Sequence, residues 1–97
     1  MMIRTFADKE TEKIYNQIFS KKLPQSIQKV ALRKLLMIDF AMDINDLRVP
    51  PGNHLERLVG DYQGWYSVRI NDQYRILFTV QDENNFTQVQ IVDYHHG

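Results

Sequence analysis

Apolar and polar residues alternate over Met2-Ile3-Arg4-Thr5-Phe6, the period of a short strand. The period then lengthens. Asp8 is placed to cap a helix, and Glu10 and Glu12 follow in the first turn, where the helix dipole favours carboxylates. Ile14, Tyr15, Ile18 and Phe19 form an apolar stripe that predicts a helix to about Phe19. Lys21-Lys22-Leu23-Pro24 ends it, because proline disfavours helix in the residue before it and suits the start of the next one. From Gln25 to Met42, Ile27, Val30, Ala31, Leu35, Ile38 and Met42 recur at helical spacing. Leu32, Leu36 and Phe40 widen that stripe, which predicts a well-buried second helix antiparallel to the first.

Asp43 to Asn53 reads as a connector, since Pro50-Pro51-Gly52-Asn53 excludes regular structure. Leu55-Glu56-Arg57-Leu58 predicts a short edge strand and Gly60 to Gly64 a turn. Three clearer strands follow, Trp65 to Ile70, Tyr74 to Val80 and Phe86 to Tyr94, with a turn over Asp82 to Asn85. The expected architecture is one α+β domain over residues 1–97: an N-terminal strand, a two-helix hairpin, then an antiparallel β-meander.

The hairpin register follows from parity. A three-residue loop, Asn71-Asp72-Gln73, pairs Ile70 with Tyr74 and Val68 with Ile76, gathering the large apolar side chains on one face. A two-residue loop sets Val68 beside Arg75 and mixes the faces. The three-residue register places Arg69 and Arg75 together on the other face. Like charges opposed across strands repel by up to about 1 kcal/mol, and a phosphate accepting both guanidinium forks removes that repulsion. The structural alternative is that each arginine pairs with a local acid such as Glu56, Asp61 or Asp93.

Ninety-seven residues allow a single core, and the 43% hydrophobic and 25% charged fractions are those of a globular chain. There is no cysteine, which fits a reducing cytoplasm. Neither a secretory signal nor a run of apolar residues long enough to span a membrane is expected. The net charge is zero, yet Lys21, Lys22, Lys29, Arg33 and Lys34 lie in a stretch from Ser20 to Leu36 without one acidic residue. Such a face suits phosphate or an acidic protein equally.

The candidate chemistry collects near the end of the chain, at Asp93-Tyr94-His95-His96. In-line attack by a ribose 2′-hydroxyl on its phosphodiester needs a base, an acid for the leaving oxygen and positive charge at the phosphoryl oxygens. Arg75, Asp93, Tyr94 and His95 supply these residue types without a metal. Arg69, Arg57, His54, Lys29 and Arg33 are the further candidates for contact with RNA. The competing reading makes Tyr-His-His-Gly a frayed terminus. His54, His95 and His96 lack zinc-ligand spacing, the acids are scattered, no glycine-rich phosphate loop is present, and Ser67 has no nucleophile elbow. No metal or other cofactor is expected.

Taken together, Met2-Ile3-Arg4, Pro50-Pro51-Gly52-Asn53, Leu58-Val59-Gly60-Asp61, Ser67 through Arg75 and Ile91-Val92-Asp93-Tyr94-His95 resemble the HigB-type toxins (host inhibition of growth, plasmid maintenance killer) of the RelE/ParE superfamily. The resemblance spans essentially the whole chain. It implies a β-α-α-β-β-β(-β) fold and a ribosome-dependent mRNA endonuclease, held in check by a helix-turn-helix antitoxin of the HigA type. It implies contact with operator DNA only through the antitoxin complex. It matches Arg75 to the family's strand arginine and Asp93, Tyr94 and His95 to its terminal acid, tyrosine and histidine. Two departures stand out. Some members carry a catalytic lysine where this chain has Val59, leaving Arg57 or Arg69 to take over the phosphate contact. The near-neutral charge also differs from strongly basic ribosome-binding members. The alternatives implied are a non-nucleolytic toxin that binds a protein target such as gyrase, and a weakly active toxin serving mainly as corepressor.

Overall fold

In the computed structural model, residues 2–82 and 84–94 are described. The first helix, α1 (Lys9–Tyr15), starts where the Asp8 carboxylate accepts a hydrogen bond from the Thr11 amide at 2.7 Å. It ends one turn earlier than the apolar stripe suggests. Gln17 adopts a left-handed backbone (φ 63°), its amide donates to the Ile14 carbonyl, and the Ile18 amide reaches back to the carbonyl of Lys13. This is the paired closure of a Schellman motif, with glutamine where glycine is usual. Ile18 and Phe19 therefore lie beyond the helix and are exposed.

The second helix, α2 (Gln25–Phe40), buries Ile27, Ala31, Leu35 and Ile38 against one face of the sheet. Full burial of its wider stripe is not what the structure shows. Leu36 is 37% and Phe40 74% exposed, and Met42, past the helix end, is exposed too. A single sheet offers one face to the helix, and the side turned away from it has no further layer to cover it.

The sheet has the order β1 (Glu56–Arg57), β2 (Trp65–Arg69), β3 (Tyr74–Gln81), β4 (Asn85–Asp93), antiparallel throughout. The N-terminal segment runs parallel to β4, but in two isolated bridges, Ile3 with Phe86 and Phe6 with Val89, rather than as a continuous strand. A break at Gln88 accounts for this. Gln88 has φ 56°, and its amide donates to Thr5 Oγ1 at 2.8 Å instead of to a neighbouring carbonyl. Buried Asp39 of α2 anchors the same segment, accepting from the Ile3 amide at 3.2 Å and from the Tyr15 hydroxyl at 2.6 Å.

The hairpin register is the one parity requires: Val68 pairs with Ile76 and Arg69 with Arg75. The Asn71 side chain stabilises the loop by accepting from the amides of Gln73 and Tyr74. Val68, Ile70, Ile76, Phe78, Phe86, Val89 and Ile91 consequently meet the helices in one core. The opposite face carries Ser67, Arg69, Arg75 and Leu77.

Candidate active site

Two arginines and a tyrosine share one open cleft on the sheet face turned away from the helices. The cleft holds about 500 Å³ and is lined by His54, Glu56, Arg69, Asn71, Asp72, Arg75 and Tyr94. Parity puts each of them there: Glu56 pairs with Ser67, Arg69 with Arg75, and Arg75 with Val92, one residue before Asp93 and two before Tyr94. His54 arrives from the Pro51–Asn53 3₁₀ turn, with left-handed backbone angles (φ 43°) that turn the chain into β1.

Arg75 is the fixed member. Only 6% exposed, it donates from Nε to Ser67 Oγ at 2.8 Å and from Nη2 to the His54 carbonyl at 2.5 Å. Its Nη1 lies 3.7 Å from Glu56 Oε1, beyond hydrogen-bond length. The Tyr94 ring stacks 5.8 Å from the guanidinium carbon. Burial pulls the Arg75 pKa below its ordinary value; the charges of Glu56 and Tyr94 oppose that shift and the charge of Arg69 adds to it. Arg69 is held differently, by Asp72 alone among its salt bridges in the described residues, Nη2 to Oδ1 at 2.5 Å. Both arginines thus have a carboxylate within reach, as the structural alternative required, yet both still open onto the same cleft.

The other expected site residues separate. Asp93 falls on the opposite parity to Tyr94, paired with Tyr74, and accepts from Gln73 Nε2 at 3.0 Å. Arg57 pairs with Tyr66 and sits over its ring at 5.9 Å, on the helix-packed face. Lys29 and Arg33 are exposed on α2 and do not line the cleft. His95 lies outside the described residues. Val59, at which the resemblance implies a lysine in some members, is 81% exposed and does not line the cleft.

Two features were not assigned a role from the sequence. The sequence offers Glu56 only as a possible neutralising partner of an arginine; its place beside Ser67 comes from the β1–β2 register of the fold. Lys34 is buried and donates to Asn53 Oδ1, whose own amide donates to the carbonyls of Leu47 and Val49. Burial, then the charges of Arg33 and Arg69, lower the Lys34 pKa. This contact fixes the loop that delivers His54, and only the fold reveals it. Among the described residues no group of three or more His, Cys, Asp or Glu side chains is arranged to hold a metal ion.

The architecture is shared with solved structures of YoeB and YafQ. YoeB of Staphylococcus aureus, in its dimer, superposes with a TM-score of 0.61 at 22% identity, covering 99% of this chain and 100% of that one. YoeB in the YoeB–YefM complex of the same organism gives 0.59 over 97% and 98%. YafQ of E. coli gives 0.53 at 14% identity over 90% and 88%. A family model described as the RelE-like toxin of type II toxin-antitoxin system HigB matches residues 4–95. Toxin HigB-1 of Vibrio cholerae is 44% identical over 78 residues, 79% of this chain and 82% of that protein. An uncharacterised Haemophilus influenzae protein is 45% identical over 74 residues, 76% and 71%. The chain belongs to the HigB family of RelE-like toxins of type II toxin–antitoxin systems.

Proposed function

We propose that this toxin is an endoribonuclease that cuts messenger RNA on the ribosome, acts in the cytoplasm, and is neutralised by a helix-turn-helix antitoxin of the HigA type that carries it to operator DNA. The observation that carries this reading is the convergence of Arg69, Arg75, Tyr94 and His54 on one cleft. A phosphodiester placed there meets positive charge from two directions. Arg75 Nη1 and the Arg69 fork accompany the phosphoryl oxygens as charge builds during attack by the 2′-hydroxyl. Glu56, Asp72 and His54 line the cleft; Asp72 is engaged by Arg69, and Glu56 or the His54 imidazole takes the 2′-hydroxyl proton. Tyr94 stacks against Arg75 and faces the same space, where it orients the leaving nucleotide. His95 is assigned the proton donated to the 5′-oxygen. Asp93, on the other side of the strand, is a positioning residue for that terminal segment. The products are a 2′,3′-cyclic phosphate and a free 5′-hydroxyl, so no atom beyond the message is consumed.

Purified toxin added to translating ribosomes should leave message cut at defined places within codons, and Arg75→Ala and His95→Ala should sharply reduce the cuts. Arrested growth with intact message, unchanged in those variants, would instead select a non-nucleolytic toxin acting on a protein. Harmless overexpression with altered operator binding would select the corepressor role that Val59 suggests.

A further inference from the structure

We propose that Lys34, buried on α2, is a positioning residue for cleavage: through Asn53 it holds the His54 carbonyl in the place where that carbonyl orients the Arg75 guanidinium. The catalytic consequence rests on the nuclease reading above; the link from Lys34 to Arg75 does not. Lys34 stands on the stripe of α2 that also buries Ile27, Ala31 and Ile38, yet it is a lysine and only 6% exposed. An ammonium taken out of water is unfavourable unless it is paired, and among the described residues Lys34 has no carboxylate partner. Its Nζ instead donates to Asn53 Oδ1. An apolar side chain at this position would avoid the desolvation, so core packing does not account for the lysine.

The connector shows what the contact does. From Arg48 to His54 every residue is exposed except Asn53, which is fully buried. Asn53 Nδ2 gathers the connector by donating to the carbonyls of Leu47 and Val49, at 3.2 and 3.4 Å, and lies 3.9 Å from the Met37 sulfur. The amide bonds of Asn53 to the Pro50 carbonyl and of His54 to the Pro51 carbonyl shape the turn without tying it to another element. Apart from the weak sulfur contact, two hydrogen bonds among the described residues join the segment 48–54 to the helix and the sheet: Lys34 to Asn53, and Arg75 to the His54 carbonyl. One end of the turn is held by α2 and the other holds the arginine. At Arg75, the bond from Nε to Ser67 Oγ fixes one point of a planar guanidinium, whose plane can still turn about it. The His54 carbonyl, 2.5 Å from Nη2 against 3.5 Å for the Ser67 carbonyl, supplies the second point. Nη1 is left on the side of Glu56, 3.7 Å from Oε1, where the cleft lies.

The test uses the whole toxin on programmed ribosomes. Lys34→Met keeps the apolar stem and removes the ammonium. It should lower the single-turnover cleavage rate by about 10-fold while the half-saturating ribosome concentration stays within about two-fold, which marks lost orientation rather than lost binding. In an Arg75→Ala background the same change should lower the rate by less than about two-fold more, because its effect passes through that guanidinium. Equal losses in the two backgrounds overturn the proposal, since a general loss of folded protein acts on both alike. A second measurement needs no RNA: the Arg75 Nε–H, followed by NMR, should exchange with solvent about 10-fold faster in Lys34→Met than in the unaltered toxin. Unchanged exchange overturns the proposal too. If Lys34→Met does not fold, Lys34→Gln, uncharged and too short to keep the same contact, takes its place in both measurements. A toxin that cuts no message, but whose Arg75 exchange still responds to Lys34→Met, removes the nuclease reading and leaves the hold of Lys34 on Arg75 standing.

Discussion

Arg69 and Arg75 stand opposite each other on β2 and β3, and they are held in unlike ways. Arg75 is committed on one side to Ser67 and the His54 carbonyl, both within the fold. Arg69 is tied to Asp72, a side chain that is 99% exposed. The first guanidinium is therefore in place before any substrate arrives, whereas the second leaves its partner at little loss, because exposed ion pairs contribute about 0–1 kcal/mol. One fixed and one exchangeable cation are the arrangement on which the proposed grip on a phosphate rests, and neither is closed off by its own acid.

Removing the fixed member should affect chemistry more than binding. Arg75→Ala is expected to lower single-turnover cleavage by about 10²–10³, the range for loss of one preorganised group that stabilises developing charge. Arg75→Lys should restore little, since an ammonium lacks the geometry to serve Ser67, the His54 carbonyl and a phosphate together. Ser67→Ala frees Nε and should lower the rate by about 10-fold with a smaller change in KM, an effect of orientation. Ribosome-programmed cleavage assays check all three; a rate unchanged in Arg75→Ala would remove Arg75 from the reaction.

For the exchangeable member the sign reverses. Asp72→Asn removes the acid competing for Arg69 and is expected to raise affinity for RNA by a few-fold at low salt. The gain should fade by about 0.5 M salt, where such attraction is screened. Filter binding of a short RNA across a salt series reads this. A gain that persists at high salt, or a loss, would mean that Arg69 does not exchange Asp72 for phosphate.

These features were legible in the sequence to unequal degrees. The two-residue period fixes which face each strand residue takes, so the pairing of Arg69 with Arg75 followed once the loop was read as three residues. The same parity separates Asp93 from Tyr94, but carried through a Gly60–Gly64 turn it opposes Arg57 to Ser67, one residue away from the observed pairing of Arg57 with Tyr66. Residue type groups Asp93 and Arg57 with the cleft residues, whereas their register puts each on the other side of the sheet. The early end of α1 was not legible, because its left-handed residue is a glutamine and the apolar stripe continues past it. Nor was the exposure of Leu36 and Phe40, since helical periodicity shows which residues share a face, not whether another layer covers it. The Lys34–Asn53 contact joins residues 19 apart through a loop without regular pattern.

The Tyr15–Asp39 hydrogen bond makes stability depend on alkaline pH. Its carboxylate partner first, then burial, push the Tyr15 hydroxyl from an ordinary 10.0 up to about 12. Below pH 10 the tyrosine is protonated in both folded and unfolded chains, and the stabilisation is fully present. Between 10 and 12 the unfolded chain releases the proton and the folded chain keeps it, so stability falls as pH rises. Tyr15→Phe should lose about 1.5–3 kcal/mol near neutral pH, the value of a hydrogen bond to a charged group. It should also lack the extra decline from pH 10 to 12. Urea unfolding at several pH values tests this, and parallel curves for the two proteins would contradict it.

Gln17→Gly offers the opposite sign, a stabilising change at a position where side-chain loss is usually unfavourable. Gln17 is exposed and holds φ 63°, a region that a Cβ makes costly and glycine enters freely. Its contribution to closing α1 is made by the backbone, through the amide bond to Ile14, and that bond survives the substitution. Relief of the strain is partly offset by the greater freedom glycine gives the unfolded chain, leaving a net gain of about 0.5–1 kcal/mol. Gln17→Ala keeps the Cβ and should gain nothing. Because Gln17 also borders the groove of Ile18 and Phe19, the comparison separates backbone strain from side-chain contact. If glycine and alanine destabilise equally, the glutamine side chain holds that corner; if only glycine stabilises, the left-handed backbone is the source.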